Sequence, residues 1–302
     1  MARGPRGELT MHLSGATDII FGVGVALMGF AVGSFLNVVI YRLPREGLSI
    51  WQPRRSFCPA CRNQIPWHDN IPFLSYLFLR GRCRFCGTPI SARYPLVELL
   101  SAILAFSLYR KYGITWELLF YWYFVCALTA IAFIDSELMV IPDLLVLPTY
   151  ILGFVIAVVT PNPELTGTLV WAALDRAGWN PRLISLAGSV MGFALGFLSL
   201  FLASKAYKLW RGKDGLGAGD PPLLGLIGIF LGWRSIFPIL FLSSVIGLLS
   251  VMLSLAAGKL PSRGDLGGVR LPFGPFLVLA ALFWLFYGEP IIGWYASLLT
   301  VQ

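Results

Sequence analysis

Apolar residues occur in long runs along most of this 302-residue chain, and short polar stretches separate the runs. An α-helix needs about 20 predominantly apolar residues to cross the hydrocarbon core of a membrane. By this measure the pattern predicts about eight spans, the sixth of them short, at roughly 18–41, 95–110, 116–134, 143–160, 183–206, 220–233, 235–257 and 271–288. The first run is too long for a cleaved signal peptide and predicts a retained span.

Two intervals break the apolar pattern. Residues 42–94 gather Pro, Arg, Asn and four of the five cysteines, which predicts a small insert outside the membrane. A second polar interval at about 160–182 is expected on the opposite side, as an outer insertion. Within it, residues 165–177 leave only one narrow polar side and predict a short interfacial helix.

Composition agrees with a lipid environment, because 57% of the residues are hydrophobic and only 13% are charged. The predicted fold class is therefore an all-α, polytopic integral membrane protein with a cysteine-rich, zinc-ribbon-like insert. Lys and Arg concentrate at 42–94, 205–213 and 259–270, and such residues are retained on the cytoplasmic side. This predicts an N-terminus outside and a cytoplasmic insert. The net charge of +8 then needs no nucleic-acid partner.

The four cysteines of the insert form two CxxC pairs. Cys58 and Cys61 make the first pair, and Cys83 and Cys86 make the second. This is the spacing of a zinc ribbon, in which four thiolates close a tetrahedral, structural site. Two disulfides are the first alternative, against which a cytoplasmic location argues. A redox dithiol is the second, although it usually comes as a single CxxC.

Acidic residues are costly in or beside hydrocarbon, and few are present. Asp135, Asp143 and Asp220 all fall at the predicted cytoplasmic edge, where they can meet, and Gly217 and Gly219 flank the last of them. Two carboxyl groups in one site can act as general acid and general base on a water molecule that attacks a peptide carbonyl. Taken singly, each aspartate also fits a solvated loop or a helix N-cap. An ion-coupled carrier that uses paired carboxylates is the alternative function.

Six segments together resemble one family, the type IV prepilin peptidases (prepilin leader peptidase and N-methyltransferase). They are GSFLNVVIYRLP at 33–44, the segment from CPAC to CRFC at 58–86, SARYPLVELLSA at 91–102, IDSELMVIPD at 134–143, GLGAGD at 215–220 and LPFGPFLVLAA at 271–281. Their order and spacing extend the resemblance over nearly the whole chain.

The resemblance implies an aspartyl peptidase of the bacterial inner membrane. Such an enzyme removes the short basic leader of type IV pilin or type II secretion pseudopilin precursors on the cytoplasmic side. The catalytic aspartates of the family fall on Asp135 and on Asp220 of the GxGD motif, with Asp143, Gly217 and Gly219 in support. Many members also methylate the new N-terminus with S-adenosylmethionine, and the cysteines match the zinc-type cluster of the family.

The expected domains are the first transmembrane helix (1–41), the zinc-binding-type loop (42–94) and a membrane-embedded peptidase domain (95–302). Two departures from the family pattern stand out. Pro222 replaces a lysine that many members carry, and the interval between the two matched aspartates is longer than expected. Among the remaining acidic residues, Glu98 and Glu137 are candidates for holding the positive charge of a leader.

Overall fold

The computed structural model describes residues 15–53, 55–162, 165, 167–212, 215, 217–258 and 271–300. Its regular secondary structure is helical, with two isolated β-bridges, so the all-helical prediction is confirmed for this part of the chain. The α-helices are α1 Gly15–Arg42, α2 Leu74–Phe78, α3 Arg93–Tyr112, α4 Trp116–Leu138, α5 Asp143–Val159, α6 Thr168–Arg176, α7 Pro181–Arg211, α8 Asp220–Leu231, α9 Ile236–Ala256 and α10 Gly274–Thr300. The basic interval 259–270 lies outside the described residues.

A helix occupies each of the eight apolar runs. Five of them, α1, α4, α7, α9 and α10, are long and apolar enough to cross a membrane, and α5 and α8 are shorter apolar helices. Helix α3 covers the predicted run at 95–110 but carries Glu98, Arg110 and Lys111, which make it less apolar. The chain is therefore an integral membrane protein with several spans. The predicted interfacial helix corresponds to α6.

The chain divides into two compact units, residues 1–130 and residues 131–302, and the division falls within α4. In the first unit α1 and α3 pack in antiparallel contact. A Cβ atom on Gly29 would lie 2.6 Å from the Cα of Ala102, and one on Gly33 would lie 2.7 Å from the Cα of Glu98. These two glycines allow the helix backbones to approach closely, as is common in membrane proteins.

In the second unit α7 packs along α8 with backbone in direct contact. A Cβ atom on Gly192 would lie 2.1 Å from the carbonyl oxygen of Gly228, and the reverse distance is the same. The Ser189 hydroxyl also donates a hydrogen bond of 2.9 Å to the carbonyl of Ile229. Helix α5 packs against both α7 and α8, and α9 packs against α10. The contacts with α5 and α7 hold α8 in the interior of this unit.

Helix α8 begins at Asp220 because two prolines follow directly. Proline is favoured in the first helical turn, where its missing N–H has no intrahelical acceptor and its φ angle suits the helix. The helix ends at Leu231, and the next residue, Gly232, has a φ of 74°, which glycine adopts readily. Asp220 is consequently the first helical residue, and its carboxyl group lies at the N-terminal end of a buried helix.

Candidate functional site

The side chain of Asp135 is buried in the last turn of α4 and is 5% exposed. Its Oδ2 atom accepts a hydrogen bond of 3.1 Å from the backbone N–H of Gly274, the first residue of α10. A Cβ atom on Gly274 would lie 2.6 Å from the same oxygen. Only glycine therefore allows this approach without displacing the carboxylate. The segment LPFGP contributes to the family resemblance, but no pattern in the sequence marked Gly274 as a site residue.

Asp220 is equally buried, with 4% of its surface exposed. Its Oδ2 atom accepts a hydrogen bond of 3.0 Å from the backbone N–H of Gly217. A Cβ atom on Gly217 would lie 3.1 Å from that oxygen, and one on Gly219 would lie 2.8 Å from the Cβ of Ile141. Both glycines of the GxGD motif thus have a packing reason to be glycine, one against the carboxylate and one against Ile141.

The structure places Asp135 and Asp220 in one unit, and Gly219, next to Asp220, packs against Ile141 in the segment that follows the helix of Asp135. Each has a backbone N–H donor and little contact with solvent. Two carboxyl groups that share a low-dielectric site cannot both ionise easily. This arrangement suits a site in which one group donates a proton while the other accepts one.

Asp143 differs from the other two aspartates, because it is exposed at the first residue of α5. Pro222, the departure from the family pattern, contributes its carbonyl oxygen, which accepts a hydrogen bond of 2.8 Å from the Tyr150 hydroxyl. This bond connects α5 to the first turn of α8, next to Asp220. Pro222 therefore contributes to holding the helix that carries the buried aspartate.

The four predicted cysteines form a second candidate site in the insert. Their sulfur atoms all lie within 4.8 Å of one another, and those of Cys58 and Cys86 are 3.8 Å apart. Thiolates bound at about 2.3 Å to a tetrahedral zinc ion are about 3.8 Å apart. The donor atoms are soft and four in number, so the cluster fits a metal such as zinc.

Both CxxC pairs are built on the same backbone plan, which we name the first cysteine turn (57–64) and the second cysteine turn (82–89). An isolated antiparallel β-bridge closes each turn. In each turn, the N–H of the residue four positions after the leading cysteine donates to the carbonyl of that cysteine. Arg62 donates to Cys58 at 2.8 Å, and Gly87 donates to Cys83 at 2.9 Å. Arg62 and Gly87 have φ angles of 59° and 68°. The left-handed position is thus filled by an arginine in one turn and by a glycine in the other.

An ion pair connects the second cysteine turn to the rest of the insert. The Arg84 guanidinium donates two hydrogen bonds to the carboxylate of Asp69, with Nε at 2.6 Å and Nη2 at 2.5 Å from its oxygens. The hydrogen bonds and the charge of Arg84 lower the pKa of Asp69. Such paired, charge-assisted bonds fix the orientation of both side chains.

Glu98 is buried, whereas a carboxylate that binds a basic leader must be accessible to it. Its side chain is 8% exposed, and its Oε2 atom accepts a hydrogen bond of 2.7 Å from the backbone N–H of Phe73. Glu98 therefore attaches the insert to α3 and is not a surface charge, whereas Glu137 is exposed at the end of α4. No pattern in the sequence indicated this contact, because the two partners are 25 positions apart along the chain.

Comparison with known proteins places these features in a family. Residues 27–112 match the bacterial peptidase A24 N-terminal domain, and residues 122–252 match the type IV leader peptidase family. The chain belongs to the type IV leader peptidase family. The first matched segment contains both cysteine turns, and the second contains Asp135 and Asp220. Gly274, which donates to Asp135, lies beyond the second matched segment.

Several relatives share this family over most of their length. The prepilin leader peptidase/N-methyltransferase of Aeromonas hydrophila is 36% identical over 295 residues, covering 90% of this chain and 93% of the relative. The protein of the same name from Pseudomonas aeruginosa is 34% identical, covering 90% and 92%. That from Myxococcus xanthus is 37% identical, covering 84% and 69%. No solved structure gives a significant match to this member of the leader peptidase family.

Proposed function

We propose that this chain is a membrane aspartyl endopeptidase that removes the basic leader of type IV prepilins or pseudopilins. The observation that carries the proposal is the buried pair of Asp135 and Asp220, each carboxyl group with a backbone N–H donor. Membership of the leader peptidase family and the names of the relatives support the same activity. The relatives' names also support a second step, methylation of the new N-terminus.

In the proposed mechanism the two carboxyl groups share the work of acid and base. One aspartate takes a proton from a water molecule, whose oxygen adds to the carbonyl carbon of the scissile bond. The other gives its proton to the leaving nitrogen, and the C–N bond breaks. No covalent intermediate with the protein is formed. The N–H groups of Gly274 and Gly217 hold the carboxyl groups in place during both transfers.

The substrate chemistry fits a site at a membrane edge. A prepilin carries a basic leader followed by an apolar helix, so the helix can enter between spans while the scissile bond stays at headgroup level. We place the N-terminus of the chain outside and the aspartates at the cytoplasmic face of the bacterial inner membrane, since basic residues concentrate at 42–94 and 205–213. Of the two glutamates considered for the leader, exposed Glu137 retains that role.

We further propose that Cys58, Cys61, Cys83 and Cys86 hold a structural zinc ion. Four thiolates leave no open coordination position, so the ion would supply cross-linking of the two cysteine turns and no reaction chemistry. S-adenosylmethionine is the expected methyl donor.

The peptidase proposal is tested by cleavage of a pilin-type precursor in membranes. Asp135→Asn and Asp220→Asn are expected to lower the cleavage rate by at least about 10²-fold, because amides cannot exchange the protons. Asp143→Asn is the matched control, since Asp143 is exposed, and a much smaller effect is expected. Methylation of the product is followed in parallel.

Normal cleavage by either buried-site variant, with the protein correctly inserted, would contradict the assignment of the pair. The ion-coupled carrier would then be the better account of the two buried carboxyl groups. Loss of cleavage in the Asp143→Asn variant alone would show that Asp143 is one of the two active carboxyl groups.

A further inference from the structure

Large apolar side chains are exposed on the part of the insert around α2. We name residues 71–78 the apolar finger. Its exposed members are Ile71, Leu74, Leu77 and Phe78, and Phe78 is 82% exposed. Leaving apolar surface in water costs roughly 25 cal/mol per Å². A contiguous patch of this kind marks a surface with an apolar partner.

Contacts with α1 show how deep the apolar finger lies. The ring of Phe73 packs against the ring of Phe30, with centroids 6.0 Å apart. At a rise of about 1.5 Å per residue, Phe30 lies roughly 18 Å along the helix axis from Arg42, the last residue of α1. It also lies between Ile19 and Phe35, which are exposed apolar residues of this membrane-spanning helix. The finger therefore begins beside the part of α1 that crosses the hydrocarbon core.

Glu98 of α3 attaches the finger at this level. Its carboxylate accepts the hydrogen bond from the N–H of Phe73, and its Cα atom is the one that Gly33 of α1 approaches closely. Phe73 has a φ of 61°, an uncommon conformation for a bulky residue. The buried carboxylate thus holds the chain in a conformation that it would otherwise avoid, between the two packed helices.

The backbone of the finger has hydrogen-bond partners within the protein. This is the condition for a segment to lie in hydrocarbon, where an unsatisfied peptide group costs several kcal/mol. Within the finger, five N–H groups bond to acceptors in the protein: those of Ile71 (Ser75 Oγ), Phe73 (Glu98), Leu74 (Pro72 O), Ser75 (Ile71 O) and Leu77 (Phe73 O). The Ser75 hydroxyl also donates to the carbonyl of His68 at 2.9 Å. The finger can therefore enter lipid without exposing these groups.

The first cysteine turn lies near the C-terminal end of α1. The Arg42 guanidinium donates to the carbonyl of Pro53 at 2.8 Å and lies 5.8 Å from the centroid of the Phe57 ring. This turn is consequently at the polar end of α1, while the finger reaches back along the helix. The insert has one part suited to water and another suited to lipid.

We propose that the apolar finger is a re-entrant segment that lies in the bilayer beside α1 and α3. Ile71, Leu74, Leu77 and Phe78 contact lipid acyl chains, and Glu98 holds the segment at that depth. The insert is then anchored in the membrane and does not move as a free cytoplasmic domain.

The test is thiol labelling of the full chain in lipid nanodiscs, which leave both faces of the membrane open. Phe78→Cys and Glu46→Cys variants react with a hydrophilic maleimide, and the modified peptides are quantified by mass spectrometry, which separates these positions from the five native cysteines. Glu46 is exposed in the polar turn after α1. We expect position 78 to react at least about tenfold more slowly, because hydrocarbon excludes the reagent and the thiolate form. In denaturant the two rates should converge.

Solvent exposure alone predicts fast labelling at position 78, so equal rates in nanodiscs would overturn the proposal. Fast labelling that is suppressed by a pilin-type precursor would also overturn it, since the finger would then be a docking surface for the substrate. Leu77→Cys provides a second position should Phe78→Cys fail to fold. Adding Glu98→Ala to Phe78→Cys is expected to raise the labelling rate several-fold while that at position 46 stays unchanged.

Discussion

Single glycines control how the two buried carboxyl groups are held. Gly217 and Gly274 both donate a backbone N–H to an aspartate, and both leave space where a side chain would meet the carboxylate oxygen. A hydrogen bond of this length brings the Cα atom of the donor close to the carboxylate. The residue that donates the N–H must therefore also lack a side chain. A glycine near an aspartate is thus a positioning residue here, although it carries no titratable group.

Gly274→Ala tests this requirement directly. The added methyl group would overlap Asp135 and displace its carboxylate, and a displacement of about 1 Å can reduce turnover by up to roughly 10²-fold. We expect kcat for precursor cleavage to fall tenfold or more with little change in KM. Gly293→Ala on the same helix is the control, since a Cβ atom there meets nothing within 4 Å. Unchanged kcat in Gly274→Ala would show that the contact is dispensable.

The cysteine turns offer a second test at single-residue resolution. Gly87→Ala places a side chain at a φ of 68° and is expected to destabilise the second turn by about 1 kcal/mol. Arg62→Gly makes the reverse change at the equivalent position of the first turn and is expected to be neutral or stabilising. The rate of zinc transfer to a colorimetric chelator measures both. Faster zinc loss from Arg62→Gly than from Gly87→Ala would contradict the expectation.

At the level of helices, α7 and α8 depend on contact between their backbones. Gly192→Ala is expected to destabilise the protein by about 1–3 kcal/mol, because its methyl group would meet the Gly228 carbonyl, which cannot rotate away as a side chain can. Thermal unfolding in detergent measures the effect. Gly24→Ala in α1, where a Cβ atom has open space, should leave Tm unchanged. Equal Tm values for the two variants would show that the close contact between α7 and α8 contributes little to stability.

The helices themselves could be predicted from the sequence, because a membrane-spanning helix requires a long apolar run and the length of the run gives the approximate length of the helix. The start of α8 was also predictable, because Pro221 and Pro222 mark a first helical turn. The hydrogen bond from Gly274 to Asp135 was not, as its partners are 139 positions apart. A short motif such as LPFGP indicates a glycine at the start of a helix but carries no information about which carboxylate its N–H contacts.

Glu98 is a second residue whose tertiary contact could not be read from the sequence. Its position near a predicted membrane edge suggested an accessible negative charge, as for Glu137. Whether a carboxylate is accessible depends on what covers it, and here Phe73 from the insert does so. Local patterns identified the residue as important, while its role followed only from the tertiary contact.

The two-unit division of the whole molecule separates the candidate sites. The cysteine turns belong to residues 1–130, and both buried aspartates with their glycine donors belong to residues 131–302. We expect the Cys58→Ser, Cys83→Ser double variant to lose bound zinc, measured by elemental analysis of the purified protein. Because the contacts of Asp135 and Asp220 lie in the other unit, cleavage of precursor should persist within about tenfold of the unaltered rate. Loss of all cleavage in a properly inserted variant would show that the aspartates depend on the metal.

The hydrogen bond between Gly274 and Asp135 also has a consequence for biosynthesis. Ribosomes make the chain from its N-terminus, so α4 and α8 are complete before the residue that begins α10 has been translated. Until then the nascent protein carries both aspartates, but one of them lacks its donor. The proposed site is therefore completed only as α10 enters the membrane, and a prematurely terminated chain would carry both aspartates without the contact that positions Asp135.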